Sequence, residues 1–293
     1  MTEVTLYWSN ICILNRIELE YLERIKTELR KDEIELRITH FGLGYSSHMS
    51  DYLRREDSRL PDIFLSADLE VFEDERIFSR FEDDLVDISG MMDVKNRSIM
   101  RGKLLPYLAI PLVLYSRERG EKSLLSLSSD DTFTFGGIDN SAAKTVVKTI
   151  WNLYGREKAE EALKRAAVTP MPINAFQRVK TGESRYALVP AEFALSDPSA
   201  QTSLPLEGSV LIPSYAAIRR TIAPDAAEKV IRALFSPSFL DMYEERGKML
   251  ISTREIPQWF TSLGGRTVLP SEEFLASLKG EDFYALYNGA LNL

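Results

Sequence analysis

The chain has 293 residues, of which 44% are hydrophobic and 27% are charged. This composition is typical of a soluble globular protein and excludes a disordered chain, a collagen and a low-complexity polymer. With 36 Lys and Arg residues against 44 Asp and Glu residues, the net charge is −8, which argues against broad binding to nucleic acid or to an anionic membrane surface.

The first 70 residues alternate between strand and helix patterns. A short β-rich run covers residues 4–8, and Ser9 with Asn10 supplies a helix start signal for an amphipathic helix over 11–30. Alternating apolar residues predict a strand over 33–41. A helix from 46 to about 55 and a strand over 61–66 follow. This β-α-β-α-β order predicts a parallel sheet with right-handed crossovers.

The rest of the chain shows no internal repeat. Residues 104–115 form a long apolar segment with two prolines, which predicts an extended strand, and residues 133–137 predict a short one. Helices are expected over 141–154, 157–167 and, capped by Asn174, up to 182. Strands are expected over 186–193 and 209–213. Further helices start at Pro224 and Pro237, and two short ones cover 271–279 and 281–288.

Polar residues recur where predicted strands end. In open parallel α/β sheets, ligands bind beyond the carboxyl ends of the strands, near helix N-termini. Hydroxyls, amides and unpaired backbone N–H groups at such points suit an oxyanion or another polar solute. The same residue types are also ordinary helix caps, so each group has a purely structural alternative. The groups are Ser9-Asn10, Ser46-Ser47, Ser66-Ala67-Asp68 and Asn140-Ser141.

Cys12 is the only cysteine, so no intrachain disulfide can form. One cysteine with two histidines excludes a Cys/His zinc site, and we expect no metal and no cofactor. The position of Cys12 near a predicted helix N-terminus would lower its thiol pKa and suit a nucleophile, although a small apolar filler is the simpler interpretation. Tyr45, beside the loop between His40 and His48, would either stack on a ligand or pack against the protein.

Five segments, in this order along residues 3–256, resemble the family 1 extracellular solute-binding proteins of ABC transporters. They are EVTLYWSN, PDIFLSADLEVF, PYLAIPLVLYSR, VKTGESRYALVPAEFA and SVLIPSYAAIRRTIAPDAAEKVIRALFSPSFLDMYEERG. The last is the most specific, because it is similar to the ending typical of that family. The resemblance implies a two-lobed type II periplasmic-binding-protein fold of the α/β class, with a mixed sheet flanked by helices in each lobe.

The resemblance also implies a domain plan and a binding site. The first part of lobe 1 would cover 1–108 and lobe 2 would cover 109–210, while 211–293 would return to lobe 1 and add C-terminal helices. Crossover strands near 107–115 and 206–214 would form a hinge, and the ligand would lie between the lobes. The expected ligand-binding residues are Ser9, Asn10, Tyr45, Ser46, Ser47, Ser66, Ala67, Asp68, Asn140, Ser141, Ala142, Glu192 and Tyr215.

The function implied is that of a solute-binding protein, with no enzymatic activity, that clamps a small polar or anionic solute. The iron-binding branch of the family typically has a His after the first strand and two adjacent tyrosines in the second lobe. Here Ser9 and Asn10 follow the first strand and no Tyr-Tyr pair occurs, so iron is not the expected cargo. The partners expected are the solute and, for an exported protein, an ABC transporter permease. We expect no nucleic acid, no membrane insertion and a monomer.

Two alternatives stay open. One is an enzyme on the same fold, in the manner of thiaminases, with Cys12 as the nucleophile. The other is a cytoplasmic ligand sensor. The N-terminus lacks the basic start and continuous apolar core of a secretory signal. The expected location is therefore the periplasm or the exterior if a leader was removed, and the cytoplasm if the chain is full length.

Overall fold

The computed structural model describes residues 1–11, 13–88 and 90–292. The strands are β1 (Thr2–Ser9), β2 (Ile34–Phe41), β3 (Ile63–Ser66), β4 (Leu105–Ser116), β5 (Phe133–Gly136), β6 (Ala167–Thr169), β7 (Tyr186–Pro190), β8 (Gln201–Ser203), β9 (Ser209–Ile218), β10 (Leu250–Ile251) and β11 (Thr267–Val268). The α-helices are α1 (Asn15–Lys31), α2 (Met49–Leu53), α3 (Glu70–Glu73), α4 (Glu75–Phe78), α5 (Ser141–Tyr154), α6 (Arg156–Arg165), α7 (Pro172–Thr181), α8 (Ala191–Leu195), α9 (Pro224–Leu234), α10 (Pro237–Glu245), α11 (Gln258–Ser262), α12 (Glu272–Ser277) and α13 (Gly280–Leu291). Within the described part of the chain, no helix is both long and apolar enough to span a bilayer.

The chain divides into two compact units. Unit 1 consists of Met1–Ala109 with Pro213–Glu255, and unit 2 consists of Ile110–Ile212 with Ile256–Leu293. The chain changes unit within β4, within β9 and after Glu255. The C-terminal segment that starts at Ile256 belongs to unit 2, whereas the sequence expectation returned the C-terminal part of the chain to the first lobe.

The sheet of unit 1 is parallel where the chain alternates strand and helix. Strand β1 pairs in parallel with β2 on one side and with β3 on the other. The far side of β3 pairs antiparallel with β9, where Ser66 lies opposite Tyr215. Because β1, β2 and β3 run in the same direction, their carboxyl ends meet at one edge of the sheet.

Aromatic rings from strands and helices fill the core of unit 1. The Trp8 side chain, 1% exposed, stacks on Phe239 of α10 with ring centroids 5.9 Å apart. Its other neighbour is Tyr107 of β4, at 6.4 Å edge to face. Tyr107 in turn contacts Phe235 and Tyr243 at 4.9 and 5.7 Å. Trp8 is therefore a core residue that fixes the end of β1 against α10.

In unit 2, a group of parallel strands pairs with the second half of β4. Strand β5 pairs in parallel with β6 and with β7, and β7 pairs antiparallel with the Leu112–Ser116 part of β4. Helix α5 covers the sheet with the fully buried side chains of Ala143, Val146, Val147 and Ile150. Near the C-terminus, the Tyr287 hydroxyl of α13 donates to the Ile138 carbonyl at 2.8 Å, which ties the tail to the start of α5.

Several element boundaries differ from the sequence expectation. Helix α1 begins at Asn15 and α2 at Met49, so neither Ser9-Asn10 nor Ser46-Ser47 is a helix cap. Strand β7 ends at Pro190 and helix α8 follows at once, so Glu192 lies in a helical turn and not in a strand. Asn174 is not the cap of α7, because the helix starts at Pro172 and the Asn174 side chain accepts from Met171 N–H at 3.1 Å.

The carboxylate of Asp62 connects three parts of unit 1. One of its oxygens accepts the backbone N–H and the hydroxyl of Thr5 in β1, at 2.8 and 2.7 Å. The other accepts the Thr221 hydroxyl beyond β9 at 2.6 Å. Burial opposes ionisation of Asp62, but the hydrogen bonds from Thr221 and Thr5 outweigh it and lower its pKa. The ionised form of this side chain is thus part of the folded structure.

We predict that Asp62→Asn destabilises the protein by about 1–3 kcal/mol at pH 7, because an amide offers one acceptor oxygen where the carboxylate offers two. A lowered carboxyl pKa contributes stability above the unfolded value near 3.9, and that stability is lost as the pH falls through the folded pKa. Urea unfolding at pH 7 and pH 3 should therefore show a difference between variant and wild type that shrinks in acid. The exposed Asp57→Asn is the matched control, and an equal loss in both variants would contradict the assignment.

Candidate functional site

The edge of unit 1 at which β1, β2 and β3 end brings together the first group of predicted ligand contacts. Ser9 lies level with Phe41 of β2, and Trp8 lies level with Leu65 of β3, so Ser9 and Ser66 are neighbours. Both serines are buried, Ser9 at 8% exposed and Ser66 at 0%. Ser9 and Ser66 are therefore the buried part of this edge, and the residues that follow them, Asn10 and Ala67, are partly exposed.

Asn10 joins the end of β1 to the loop after β2. Its backbone N–H donates to Phe41 O at 3.0 Å, and its side-chain Nδ2 donates to Leu43 O at 3.0 Å. Its Oδ1 is buried and has no hydrogen-bond partner among the described residues. Gly42 packs against this amide at φ +105°, and a Cβ at that position would overlap Asn10 Oδ1. Asn10 is therefore a structural tie that leaves one acceptor unused.

The loop over residues 42–47 carries three further predicted contacts. Gly42 N–H donates to Ser47 O at 3.0 Å and Tyr45 N–H donates to Gly42 O at 3.0 Å, which closes the loop on itself. The Tyr45 ring stacks on His40 at 5.4 Å and 15°. Ser46 is exposed, whereas Tyr45 and Ser47 are partly buried. Of the predicted contacts in unit 1, Ser46 is the most accessible to a solute.

Asp68 links the end of β3 to the start of α2. Its Oδ2 accepts Ser50 N–H at 2.9 Å, and its own N–H donates to Ser66 Oγ at 2.9 Å. Burial and the neighbouring charge of Glu70 raise the pKa of Asp68, against the opposing hydrogen bonds from Ser50 and the charge of His48. Ala67, between these two residues, is partly exposed. The predicted triplet is thus a turn that holds α2 in place.

Tyr215 lies in the core of unit 1. It sits within β9, 4% exposed, and its ring contacts Phe72 edge to face at 5.8 Å. The sequence interpretation ended this strand at Pro213, but the structure extends it to Ile218. Tyr215 was expected to contact the ligand, but its side chain is buried against Phe72 in the core.

In unit 2, Asn140, Ser141 and Ala142 form the start of α5. Asn140 is the N-cap, and its Oδ1 accepts Ala142 N–H at 2.9 Å. Ser141 and Ala142 are buried at 8% and 6% exposed. Gly137 packs against the Asn140 amide at φ +97°, and a Cβ there would overlap Oδ1, as at Gly42 and Asn10 in unit 1. The first turn of a 14-residue helix directs its N–H groups outward here.

Glu192 is a partly buried acid in unit 2. It occupies the first turn of α8, directly after Pro190 ends β7. Its Oε2 is buried without a hydrogen-bond partner in the described part of the chain, and burial raises the pKa of the carboxyl. An acceptor oxygen in this condition would be satisfied by a hydroxyl or ammonium donor.

Sequence reasoning missed one acidic residue beside this edge. Glu18 of α1 is 1% exposed, and its carboxylate accepts Ile11 N–H at 3.0 Å and the Tyr243 hydroxyl at 2.7 Å. The signal was available, because Glu18 falls between Leu14 and Leu22 on the apolar face of α1, where an acid is out of pattern. Glu18 holds the backbone one residue beyond Asn10.

The remaining expectations concern a cysteine nucleophile and a metal site. Cys12, the proposed nucleophile of the enzyme alternative, lies outside the described residues. Among the residues that are described, no group of three or more His, Cys, Asp or Glu side chains is placed to hold a metal ion.

Comparisons with known proteins place the fold. No family model matches the chain, and no curated protein matches it. Iron-bound HitA from Pseudomonas aeruginosa superposes with a TM-score of 0.73 at 15% identity, covering 99% of each chain. The periplasmic binding protein AfuA from Actinobacillus pleuropneumoniae, with fructose-6-phosphate bound, gives 0.69 at 13% identity over 100% of this chain and 99% of that one. A periplasmic thiamin binding protein gives 0.68 at 16% identity, covering 99% and 96%.

These matches over the whole length define the class of structure. The chain has the two-lobed type II periplasmic-binding-protein fold, and the α/β fold class expected from the sequence is confirmed. The identities of 13–16% establish this fold and leave the solute of the present chain to be argued from its own residues.

We predict that Gly42→Ala is more destabilising than Gly44→Ala. Both glycines have positive φ, +105° and +88°, so each substitution should cost about 1–2 kcal/mol in backbone strain. Only the methyl group at 42 meets the Asn10 amide, while position 44 has no atom within 4 Å, so Gly42→Ala should lose about 1–3 kcal/mol more. Chemical unfolding measures both values, and equal losses would show that Asn10 and Gly42 are not in contact.

Proposed function

We propose that this chain is a solute-binding protein that holds a small polar or anionic solute without covalent chemistry, for delivery to an ABC importer. The observation that carries the proposal is the likeness, over essentially the whole chain, to the HitA, AfuA and thiamin-binding structures. Within that fold we propose membership of the family 1 extracellular solute-binding proteins, on the sequence segments described above.

Unit 1 supplies the accessible polar surface in this proposal. Ser46 would contact the solute through its exposed hydroxyl, with Tyr45 and Ser47 on either side in the same loop. Ala67 and Asp68 directly follow the end of β3, at the same edge of the sheet. Ser9 and Ser66 are buried, so their role would be to support the backbone of this edge. A site built from hydroxyls and backbone N–H groups favours a polar or anionic solute.

Unit 2 would add the N-terminal turn of α5 and the Glu192 carboxyl. The N–H groups and dipole at a helix N-terminus favour negative charge, and Asn140 already satisfies Ala142 N–H within this turn. The unpartnered Oε2 of Glu192 would accept a hydroxyl or amine of the solute. A solute that carries both an anionic group and hydroxyl groups would satisfy both features.

The remaining parts of the proposal concern where and with what the protein works. We infer a monomer that acts outside the cytoplasm and meets a membrane permease. The basis for the location is that AfuA and the thiamin-binding structure are described as periplasmic, while the permease and the monomer are carried over from the sequence resemblance. Co-purification with a permease and ATPase from the source cell would test the partnership.

We predict that one class of solute raises the melting temperature in a calorimetric screen of fructose 6-phosphate, inorganic phosphate, thiamine and ferric citrate. A true solute at 100 times its dissociation constant adds about 2.7 kcal/mol to the free energy of unfolding. We expect the stabilising compound to be one of the two phosphates. Stabilisation by ferric citrate alone would replace this assignment with an iron carrier, and no stabilisation by any compound would count against the proposed solute class.

The same screen includes a blocking variant. Ser46→Trp should weaken binding of the stabilising compound at least about tenfold, since an indole in the loop would occupy the space of a solute. Ser79→Trp, at an exposed serine of unit 1 away from the strand ends, is the control and should bind as the wild type does. Equal affinities in the two variants would remove the loop over 42–47 from the site.

Cys12→Ser separates the binding protein from the enzyme alternative. We predict that the substitution leaves the solute affinity unchanged within about twofold, because the proposed recognition involves no covalent step. Incubation of the wild-type protein with thiamine should leave the thiamine intact by chromatography. Cleavage of thiamine by the wild type, abolished in Cys12→Ser, would establish the enzyme instead.

A further inference from the structure

The Glu18 carboxylate is a buried acid whose two hydrogen bonds join separate parts of unit 1. One oxygen accepts Ile11 N–H in the connection between β1 and α1, and the other accepts the Tyr243 hydroxyl of α10. The residue is 1% exposed, so both bonds lie in the interior of unit 1. This carboxylate therefore adds a hydrogen-bonded link between helix α10 and the chain that leaves the strand edge, beside the stacking of Trp8 on Phe239.

Among the described residues, the groups that face Glu18 carry no positive charge. Tyr243 donates from α10. Burial raises the pKa of Tyr243, of Tyr107 in β4 and of Tyr45 in the 42–47 loop, and the nearby Glu18 charge raises each of them further. Trp8 of β1 is a further uncharged donor beside the carboxyl, and its indole N–H also lowers the Glu18 pKa. Among the described residues, no salt bridge to Lys, Arg or His is found for Glu18.

The balance of these effects brings the titration of Glu18 into the neutral range. Burial raises the pKa of the carboxyl to about 7, and the hydrogen bonds from Tyr243 and Ile11 limit the rise. A raised carboxyl pKa means that the carboxylate is destabilised by the fold, so protonation is favoured as the pH falls below neutrality. The group therefore changes charge in a range where solvent-exposed carboxyls do not.

We propose that Glu18 is a pH-sensitive positioning residue, whose carboxylate holds the connection after β1 through Ile11 N–H and whose protonation loosens it. A charged acceptor forms a hydrogen bond about twice as strong as a neutral one, and a protonated carboxyl must also place its own hydrogen. Ser9 and Asn10 directly precede Ile11, so loosening here reaches the strand edge. The connection to solute affinity rests on the proposed function, whereas the positioning of Ile11 does not.

The test follows the Ile11 amide by proton–nitrogen NMR between pH 5.5 and 8.5, without any solute. The background is Cys12→Ser, which removes the thiol that follows Ile11 in the sequence as a second ionisable group. We expect the Ile11 amide shift to move with a midpoint near neutral pH. Its protection from hydrogen exchange, corrected for intrinsic rates, should be about fivefold higher above the midpoint. Glu18→Gln should abolish both changes, and the exposed Glu20→Gln should preserve them.

Tyr243→Phe provides a second variant that keeps the carboxyl group. Loss of the hydroxyl removes a donor that stabilises the charged form, so the midpoint at Ile11 should move to higher pH by about half a unit or more. The variant also decides the question if Glu18→Gln fails to fold. A flat Ile11 titration in the wild type, a titration that survives Glu18→Gln, or an unchanged midpoint in Tyr243→Phe would each overturn the proposal. Because no solute is present, these results are independent of the solute screen.

Discussion

The constraint on which unit 1 depends is the common direction of β1, β2 and β3. Parallel strands can be connected only by crossovers, so every chain segment that leaves a carboxyl end must turn at the same edge before it returns. The turns after Ser9, Phe41 and Ser66 are consequently forced into contact with one another. Asn10 then donates to the turn after β2, and Asp68 accepts from the start of α2, so side chains at this edge satisfy the backbone groups of neighbouring turns.

The same side chains that look like ligand contacts are therefore also structural. One side-chain oxygen of Asp68 and one of Asn140 accept a hydrogen bond from a backbone N–H. Each of these oxygens has a second lone pair that can accept another hydrogen bond. The Ser46 side chain is exposed and makes none of the described hydrogen bonds to the backbone. A substitution at Asp68 or Asn140 would mix lost stability with lost recognition, whereas a substitution at Ser46 separates the two.

The order of strands and helices could be predicted from sequence because its signals are local, whereas the two-lobed fold was expected from the family resemblance alone. Hydrophobic periodicity indicated β1 and α5 nearly to their bounds. The predicted helix starts at Ser9-Asn10 and Ser46-Ser47 were wrong because a cap signal does not reveal a distant partner. Asn10 binds Leu43 O, 33 residues away, and the helix waits until Asn15. Likewise the strand through Tyr215 continues past Pro213 because β3 pairs with it, a long-range effect that outweighs the local penalty.

Glu18 shows why the candidate site was the harder part. A helical wheel places it on the face of Leu14, Leu22 and Ile25, where a charge costs free energy unless donors surround it. Two hydrogen bonds are made to it here, one from the connection between β1 and α1 and one from Tyr243, 225 positions along the chain, and the Trp8 indole is a further donor beside it. These hydrogen bonds offset only part of the effect of burial, so the pKa of Glu18 stays raised. The cost of burying this acid in α1 is offset in part by its hydrogen bond to Ile11 N–H. The partner lies outside α1, so no pattern within the helix could indicate it.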